Sequence, residues 1–280
     1  MSHSELPVLS VDRLAPITRI PSETAQVTHL LVCSDDREHH LRDLDIQALV
    51  FDVFGTVVDW RKSIARQASV FGARHRVVAN WDQFADDWRA GYHSGMTKVN
   101  SGEDEWKIVD QIHRERLDLL LKKYKFPKIE EGETAEFNRS WHRLDGWPDS
   151  TKALMRLKSK YVIASLSNGN VALLTNMAKY ADLPWDAVLS SELAGKYKTH
   201  PWAYQRNVQL LGLEPKQVML VAAHNGDLRG AMTAGLRTAL VTRPHEFGDS
   251  KIPDLTPDPD FDYFATDFND LADQLGCPRH

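Results

Sequence analysis

Gln47-Ala48-Leu49-Val50-Phe51-Asp52-Val53-Phe54-Gly55-Thr56 begins as an unbroken apolar run and ends on a carboxylate followed by a glycine turn. The segment Gln47 to Asp52 is too short for a helix and rich in β-formers. It therefore predicts a central parallel strand, covered on both faces, with Asp52 at its C-terminal end. In open α/β sheets that end is where ligands bind. A carboxylate held there by the strand and open on one side suits a nucleophile, although an Asp in this place also serves simply to cap a turn.

Three further strand ends carry chemistry, in the order a doubly wound fold needs. Tyr161 to Leu166 reads as a strand ending in Ser167-Asn168-Gly169-Asn170, which offers a hydroxyl, an amide and open backbone donors to an anion. Ala187 to Ser190 is a weaker strand, and the stretch after it brings Lys196 and Lys198 toward the same rim. Val218 to Ala222 ends in Ala223-His224-Asn225-Gly226-Asp227, ahead of a helix running to Gly235, and Thr238 to Val241 supplies a fifth strand. The expected fold is α/β, with a doubly wound, mostly parallel Rossmann-like core sheet.

Taken together these residues resemble the motifs of the haloacid dehalogenase superfamily, and within it the type II, or L-2-haloacid, branch. The likeness covers residues 45 to about 245. Asp52-x-Phe54-Gly55-Thr56 is similar to the family's nucleophile motif Asp-x-Tyr-Gly-Thr. Ser167-Asn168-Gly169 resembles the second motif, Lys198 with Tyr204 six residues on the third, and Asp227 the acidic residue of the fourth. Metal-dependent phosphatases of this superfamily carry a second Asp where this chain has Phe54, and another where it has Ala223. Magnesium needs a near-octahedral shell of hard oxygen ligands, and neither replacement supplies one. Both departures suit a carboxylic acid substrate whose halide leaves without a proton.

The resemblance implies a metal-free, cofactor-free hydrolysis of short 2-haloalkanoic acids in two steps. Asp52 displaces halide to form an ester; water, positioned or deprotonated by Asp227, then opens that ester to the hydroxy acid. Thr56 and Ser167 are expected to donate hydrogen bonds, and Lys198 to keep both carboxylates ionised. The resemblance further implies Arg89, in the pair Trp88-Arg89, and Asn168 as halide contacts, with Phe54, Tyr204 and His224 around the substrate. Without the motifs, Arg89 and Lys198 would read as surface residues. The chain departs from the family at the fourth motif, where Ala222-x-His224-x-x-Asp227 stands for Ser-x-Asn-x-x-Asp, and Gly226 occupies a place where some members carry Trp. His224 can orient water, bind carboxylate or pack beside the site. A magnesium-dependent phosphatase, a non-catalytic binding module and a ring-opening hydrolase of small cyclic imino acids stay as alternative readings.

Between the first two motifs the apolar period changes from strand to helix. Trp81, Phe84, Ala85 and Trp88 recur at three and four, as do most of Trp106, Val109, Ile112, Leu117, Leu120, Leu121 and Tyr124, and Phe137 with Trp141 marks a short further helix. This predicts an inserted helical cap over 61–145, a core built from 45–60 and 146–280, and an N-terminal extension over 1–44. The aromatic stripes read as bundle core. Pro244 to Asp260 reads as loop, and Phe261 to Leu275 as a closing strand and helix.

Of the 280 residues 42% are hydrophobic and 26% charged, ordinary for a globular chain able to bury one sizeable core and a smaller lid. The net charge of −5 means that attraction of an anionic substrate has to be local. Cys33 and Cys277 lie far from every motif and point to no disulfide framework or metal site, which fits a reducing cytoplasm. No stretch reaches the ~20 apolar residues of a membrane helix, the N-terminus lacks a secretory pattern, and no basic patch with interleaved aromatics suggests nucleic acid. The partner expected is a small halogenated carboxylic acid, with a homodimer as a state common in the family.

Overall fold

A computed structural model describes residues 45–248 and 251–279. The expectations for 1–44, including the N-terminal extension and a short strand over Thr28 to Cys33, lie outside these residues. Six parallel strands form one sheet in the order β3-β2-β1-β4-β5-β6: β1 (Ala48–Phe51), β2 (Val162–Ser167), β3 (Ala187–Ser190), β4 (Val218–Ala222), β5 (Arg237–Val241) and β6 (Tyr263–Ala265). This is the doubly wound α/β arrangement that the apolar runs predict. β1 sits in the middle, with Ala48 beside Val162 of β2 on one side and Val218 of β4 on the other. The chain leaves β1 for opposite halves of the sheet, so the crevice at the strand ends opens beside Asp52.

Alternate residues of β1 serve opposite layers, as a pleated strand requires. Ala48 and Val50 join a core with Tyr204 and Val208 of α7 (Pro201–Leu210) and with Leu228 and Ala231 of α8 (Asn225–Thr233). Phe51 points the other way, 5.3 Å from the Trp185 ring and 5.6 Å from that of Phe268, which opens α9 (Phe268–Gln274). Every residue of β1 is fully buried, which explains why its sequence shows no polar alternation. Helices α5 (Ser150–Lys158) and α6 (Val171–Tyr180) flank β2.

Between β1 and β2 the chain forms α1 (Trp60–Arg74), α2 (Trp81–Ser101), α3 (Val109–Lys123), α4 (Glu131–Asn138) and a 3-10 turn at Arg139–His142. Asp59 and Asn80 start the first two by accepting from Lys62 N and Gln83 N, and Gly102 ends α2 at φ +79°. Phe84, Trp88 and Trp141 are fully buried, and Phe71 stacks on Phe137 at 3.9 Å, so the aromatic stripes are bundle core. Trp106 departs from the periodic reading. It lies in the loop before α3, 37% exposed, with its ring stacked on Tyr197 at 4.8 Å. Phe137 and Trp141 fall in α4 and the following 3-10 turn, not in one helix. The chain returns to the sheet at Gly146 and Trp147, where Asp59 N donates to Asp145 O and Trp147 N to Val57 O.

Candidate active site

Asp52 stands one residue beyond β1, and its backbone N–H still bonds to Val221 O of β4 at 3.0 Å, so the sheet fixes the direction of its side chain. Each carboxylate oxygen has its own donors. Oδ1 accepts from Lys198 Nζ at 3.0 Å. Oδ2 accepts from Thr56 Oγ1 at 2.8 Å and pairs with His224 Nδ1 at 3.1 Å. The Thr56 hydroxyl accepts in turn from Ala223 N at 2.9 Å, which ties the first turn to the end of β4. Burial opposes the charge on Asp52, but the Lys198 ammonium and the His224 hydrogen bond outweigh it and hold the carboxyl well below the usual carboxylate range.

Lys198 spends all three of its N–H donors, on Asp52 Oδ1, on Asp227 Oδ2 at 2.6 Å and on Leu166 O at 2.8 Å. Its side chain is 4% exposed, and although burial disfavours its charge, Asp227 and then Asp52 keep it cationic far into alkaline solution. Asp227 lies in the first turn of α8 and accepts from Tyr204 Oη at 2.6 Å. Burial pushes its carboxyl above the ordinary value against the pull of Lys198, and the charge of Asp52 adds to the push. A carboxylate raised in this way accepts a proton more readily than Asp52 beside it.

His224 bridges Asp52 and Glu246, which lies in the loop that follows β5. Its Nε2 lies 2.9 Å from Glu246 Oε2 and 3.1 Å from Oε1, while Nδ1 faces Asp52. Burial works against the imidazolium, but the charge of Glu246 and the hydrogen bonds to both carboxylates raise the ring to about 10, so it carries both protons at neutral pH. Glu246 reaches this place because Arg243 anchors its turn: Arg243 Nε donates to Thr56 O, its two Nη groups grip Asp149, and Glu246 N bonds to Arg243 O. Trp60 Nε1 donates to Glu246 Oε1 at 3.0 Å. Gly55 makes the close approach feasible, since a Cβ there would meet Glu246 Oε1 at 2.2 Å.

A cavity of about 370 Å³ opens over Asp52, lined among others by Arg89, Tyr92, Asn168, Lys198, His224 and Asp227. Arg89, from α2, lies over the Tyr92 ring at 4.0 Å, with Phe54 and Trp60 at 5.2 and 5.4 Å, and its buried Nη1 has no hydrogen-bond partner among the described residues. A guanidinium walled by aromatic faces and short of one acceptor has the chemistry to receive a small anion. Asn168 Oδ1 accepts from Lys198 N and Ser191 Oγ. His93, on the same wall, is pressed down to about 4, first by burial and then by the charges of Arg89, His224 and Lys251.

Of the residues singled out in the sequence, Asp52, Arg89, Asn168, Lys198, His224 and Asp227 meet at this cavity. Thr56, Phe54 and Tyr204 stand behind it, touching Asp52, Arg89 and Asp227 respectively. Ser167 is fully buried at the last position of β2, where its hydroxyl accepts from Gly169 N. Glu246, Tyr92 and His93 were not anticipated. Tyr92 and His93 follow Arg89 on the same helix, so the arginine was the available signal for them; no local pattern marks Glu246. At Gly226 a Cβ would meet nothing within 4 Å, so the missing Trp leaves open space. Among the described residues no three His, Cys, Asp or Glu side chains are grouped to hold a metal ion.

Comparison with known proteins points the same way. Residues 46–235 match the family described as haloacid dehalogenase-like hydrolases. The chain is 30% identical over 202 residues to (S)-2-haloacid dehalogenase 4A of Burkholderia cepacia, covering 71% of this chain and 84% of that protein. It is 26% identical to (S)-2-haloacid dehalogenase 1 of Pseudomonas sp. (strain CBS-3), over 72% and 88%. Among solved structures, a defluorinating L-2-haloacid dehalogenase superposes with a TM-score of 0.81 at 46% identity, over 83% of this chain and 96% of that one. Another L-2-haloacid dehalogenase gives 0.79 at 39%, over 82% and 99%. With its motifs on the strand ends that the sheet order brings together, the chain belongs to the family of haloacid dehalogenase-like hydrolases.

Proposed function

We propose that this chain hydrolyses the carbon–halogen bond of short 2-haloalkanoic acids through an ester on Asp52, with no metal ion. The observation that carries this reading is the Lys198 ammonium held between Asp52 Oδ1 and Asp227 Oδ2 at 3.0 and 2.6 Å, beneath a cavity that also presents the orphaned Arg89 Nη1. It supplies an ionised nucleophile, a second carboxylate raised to serve as base, and a separate cation for the departing anion.

In the first step Asp52 Oδ1 forms a bond to the halogen-bearing carbon, and the carbon–halogen electron pair leaves with the halide toward Arg89. The aromatic wall around Arg89 keeps water from competing for that charge, so the ion contact is stronger than in solvent. In the second step water adds to Cγ of Asp52 while Asp227 takes its proton. The bond from Cγ to Oδ1 then breaks and the departing alkoxide recovers the proton, giving the 2-hydroxy acid. The helical segment 60–142 acts as the cap that closes this space. Phe54 and Ala223 offer no oxygen ligand where a phosphatase of this superfamily needs carboxylates, which favours carbon–halogen over phosphate chemistry. The relatives named as 2-haloacid dehalogenases support the substrate class, and the defluorinating neighbour extends it to 2-fluoro acids.

The test is halide release from 2-chloropropionate and fluoroacetate in the presence of a chelator. Wild-type protein releases halide and Asp52→Asn releases none, because an amide cannot take the nucleophile's place. A single turnover in heavy-oxygen water places the label in Asp52. Phosphate-ester cleavage that stops on chelation, with no halide release, would overturn the reading.

A further inference from the structure

The two oxygens of Asp52 are unlike. Among the described residues Oδ1 accepts only from Lys198 Nζ, which is shared with Asp227 and Leu166 O, whereas Oδ2 sits between two dedicated donors, Thr56 Oγ1 and His224 Nδ1. Once Oδ1 is alkylated, Oδ2 becomes the ester carbonyl oxygen. Water addition at Cγ turns that oxygen into an oxyanion with both donors already within hydrogen-bond distance. Behind His224 stands Glu246, 3% exposed, both of whose oxygens face Nε2 while Trp60 Nε1 holds one of them.

We propose that His224 is a catalytic oxyanion donor for hydrolysis of the Asp52 ester, and that Glu246 is the positioning residue that orients its ring for that role. The assignment rests on the ester reading given above. His224 transfers no proton: its Nδ1–H and the Thr56 hydroxyl hold the negative Oδ2 while the water's proton passes to Asp227 and then to the leaving alkoxide. The family's Asn at this position is an uncharged amide donor. A ring paired to a buried carboxylate puts a full positive charge against the oxyanion, and the strain-free space for that carboxylate is the one Gly55 leaves.

The charged and titratable groups around His224 are Asp52 after β1, Glu246 from the turn after β5, and the cationic Arg89 and the neutral His93 from α2. Lys198, Asp227 and Lys251 share the same cavity. Of these, Asp52 and Glu246 contact the ring, and Glu246 is the one that Asp52 alkylation leaves charged.

The experiment follows chloride release from (S)-2-chloropropionate by rapid quench, with intact-protein mass spectrometry, in wild type, Glu246→Gln and His224→Ala. In E246Q the first chloride per site appears within about threefold of the wild-type rate. Turnover falls roughly 10-fold or more, the Asp52 ester accumulates, and the alkaline limb of kcat moves toward neutrality. H224A loses about 100-fold in turnover with the same accumulation. If E246Q does not fold, His224→Asn carries the test: its amide restores part of the turnover lost in H224A, and the alkaline limb disappears. An E246Q protein whose two steps slow together, or whose alkaline limb stays in place, overturns the assignment while leaving the dehalogenase reading intact. Wild-type protein that forms no Asp52 ester overturns that reading and this assignment with it.

Discussion

The anion-receiving role proposed for Arg89 depends on what surrounds its side chain. Its guanidinium carbon lies 4.0 Å from the centre of the Tyr92 ring, with Phe54 and Trp60 close by, and among the described residues Nη1 has no hydrogen-bond partner. A lysine would keep the charge but lose both the planar stacking and the second nitrogen. Arg89→Lys is therefore expected to lower kcat/KM for halide release by roughly 30-fold, equivalent to about 2 kcal/mol for one charge-assisted hydrogen bond, and the loss should appear in the first, halide-releasing step. Unchanged single-turnover chloride release in this variant would contradict the anion role. Lys198 is the opposite case at the same scale, a cation whose every donor is already taken, and so it holds the two carboxylates in place instead of receiving a ligand.

At the scale of elements, the loop bearing Lys198 is gripped by the helical segment. Asn100 near the end of α2 exchanges two hydrogen bonds with the Tyr197 backbone, each 3.0 Å, the Tyr197 hydroxyl donates to Lys107 O, and Trp106 stacks on its ring. Here lies the physical reason that Trp106 is not in a helix: its ring covers Tyr197 from outside instead of entering the bundle. Asn100→Ala removes both hydrogen bonds and leaves the Tyr197 amide and carbonyl without their side-chain partner. The expected cost is about 1–3 kcal/mol in urea unfolding, with a rise in KM as Lys198 loses its register. A variant with unaltered stability and KM would show that the helical segment does not steady this loop. A second clip ties Asp110 of α3 to Asn170 and His142, and so joins the segment to the turn after β2.

Over the whole molecule, titration of the buried groups predicts a stability maximum near neutral pH. Burial presses His93 down to about 4 and pushes His113 well below its ordinary 6.5, so between those values the unfolded chain binds protons that the folded chain refuses. Stability is lost as the pH falls through that window. Below it the lowered carboxyls, Asp52 and Asp110 foremost among the buried ones, continue the loss, because their folded forms resist protonation that the unfolded chain accepts below 3.8. On the alkaline side His224 is raised to about 10 against 6.5 unfolded, so its contribution is complete below 6.5 and is lost as the pH rises toward 10. Thermal melting across pH 4 to 10 should pass through a maximum near 6.5 to 7, and Glu246→Gln should flatten the alkaline side alone. No helix among the described residues is long and apolar enough to cross a membrane.

The strands and the residues at their ends were open to reading because each is a local event. An apolar run covered on both faces shows as an unbroken string, and the polar residue that ends it is set beside the crevice by sheet topology, so Asp52, Asn168, His224 and Asp227 could be located before any coordinate was known. The helical run between the first two motifs was legible through its period, with Trp106 misplaced because a residue that covers another element can fall in phase by chance. Glu246 lay beyond reach. It is 22 residues from His224 along the chain and 186 from Trp60, in a segment whose composition says only loop. What brings it to the site is the grip of Arg243 on Asp149 and the Thr56 carbonyl, together with the space above Gly55. Local physics writes itself into neighbouring residues, whereas a charge pair closed by packing between distant turns exists only once the chain has folded around it.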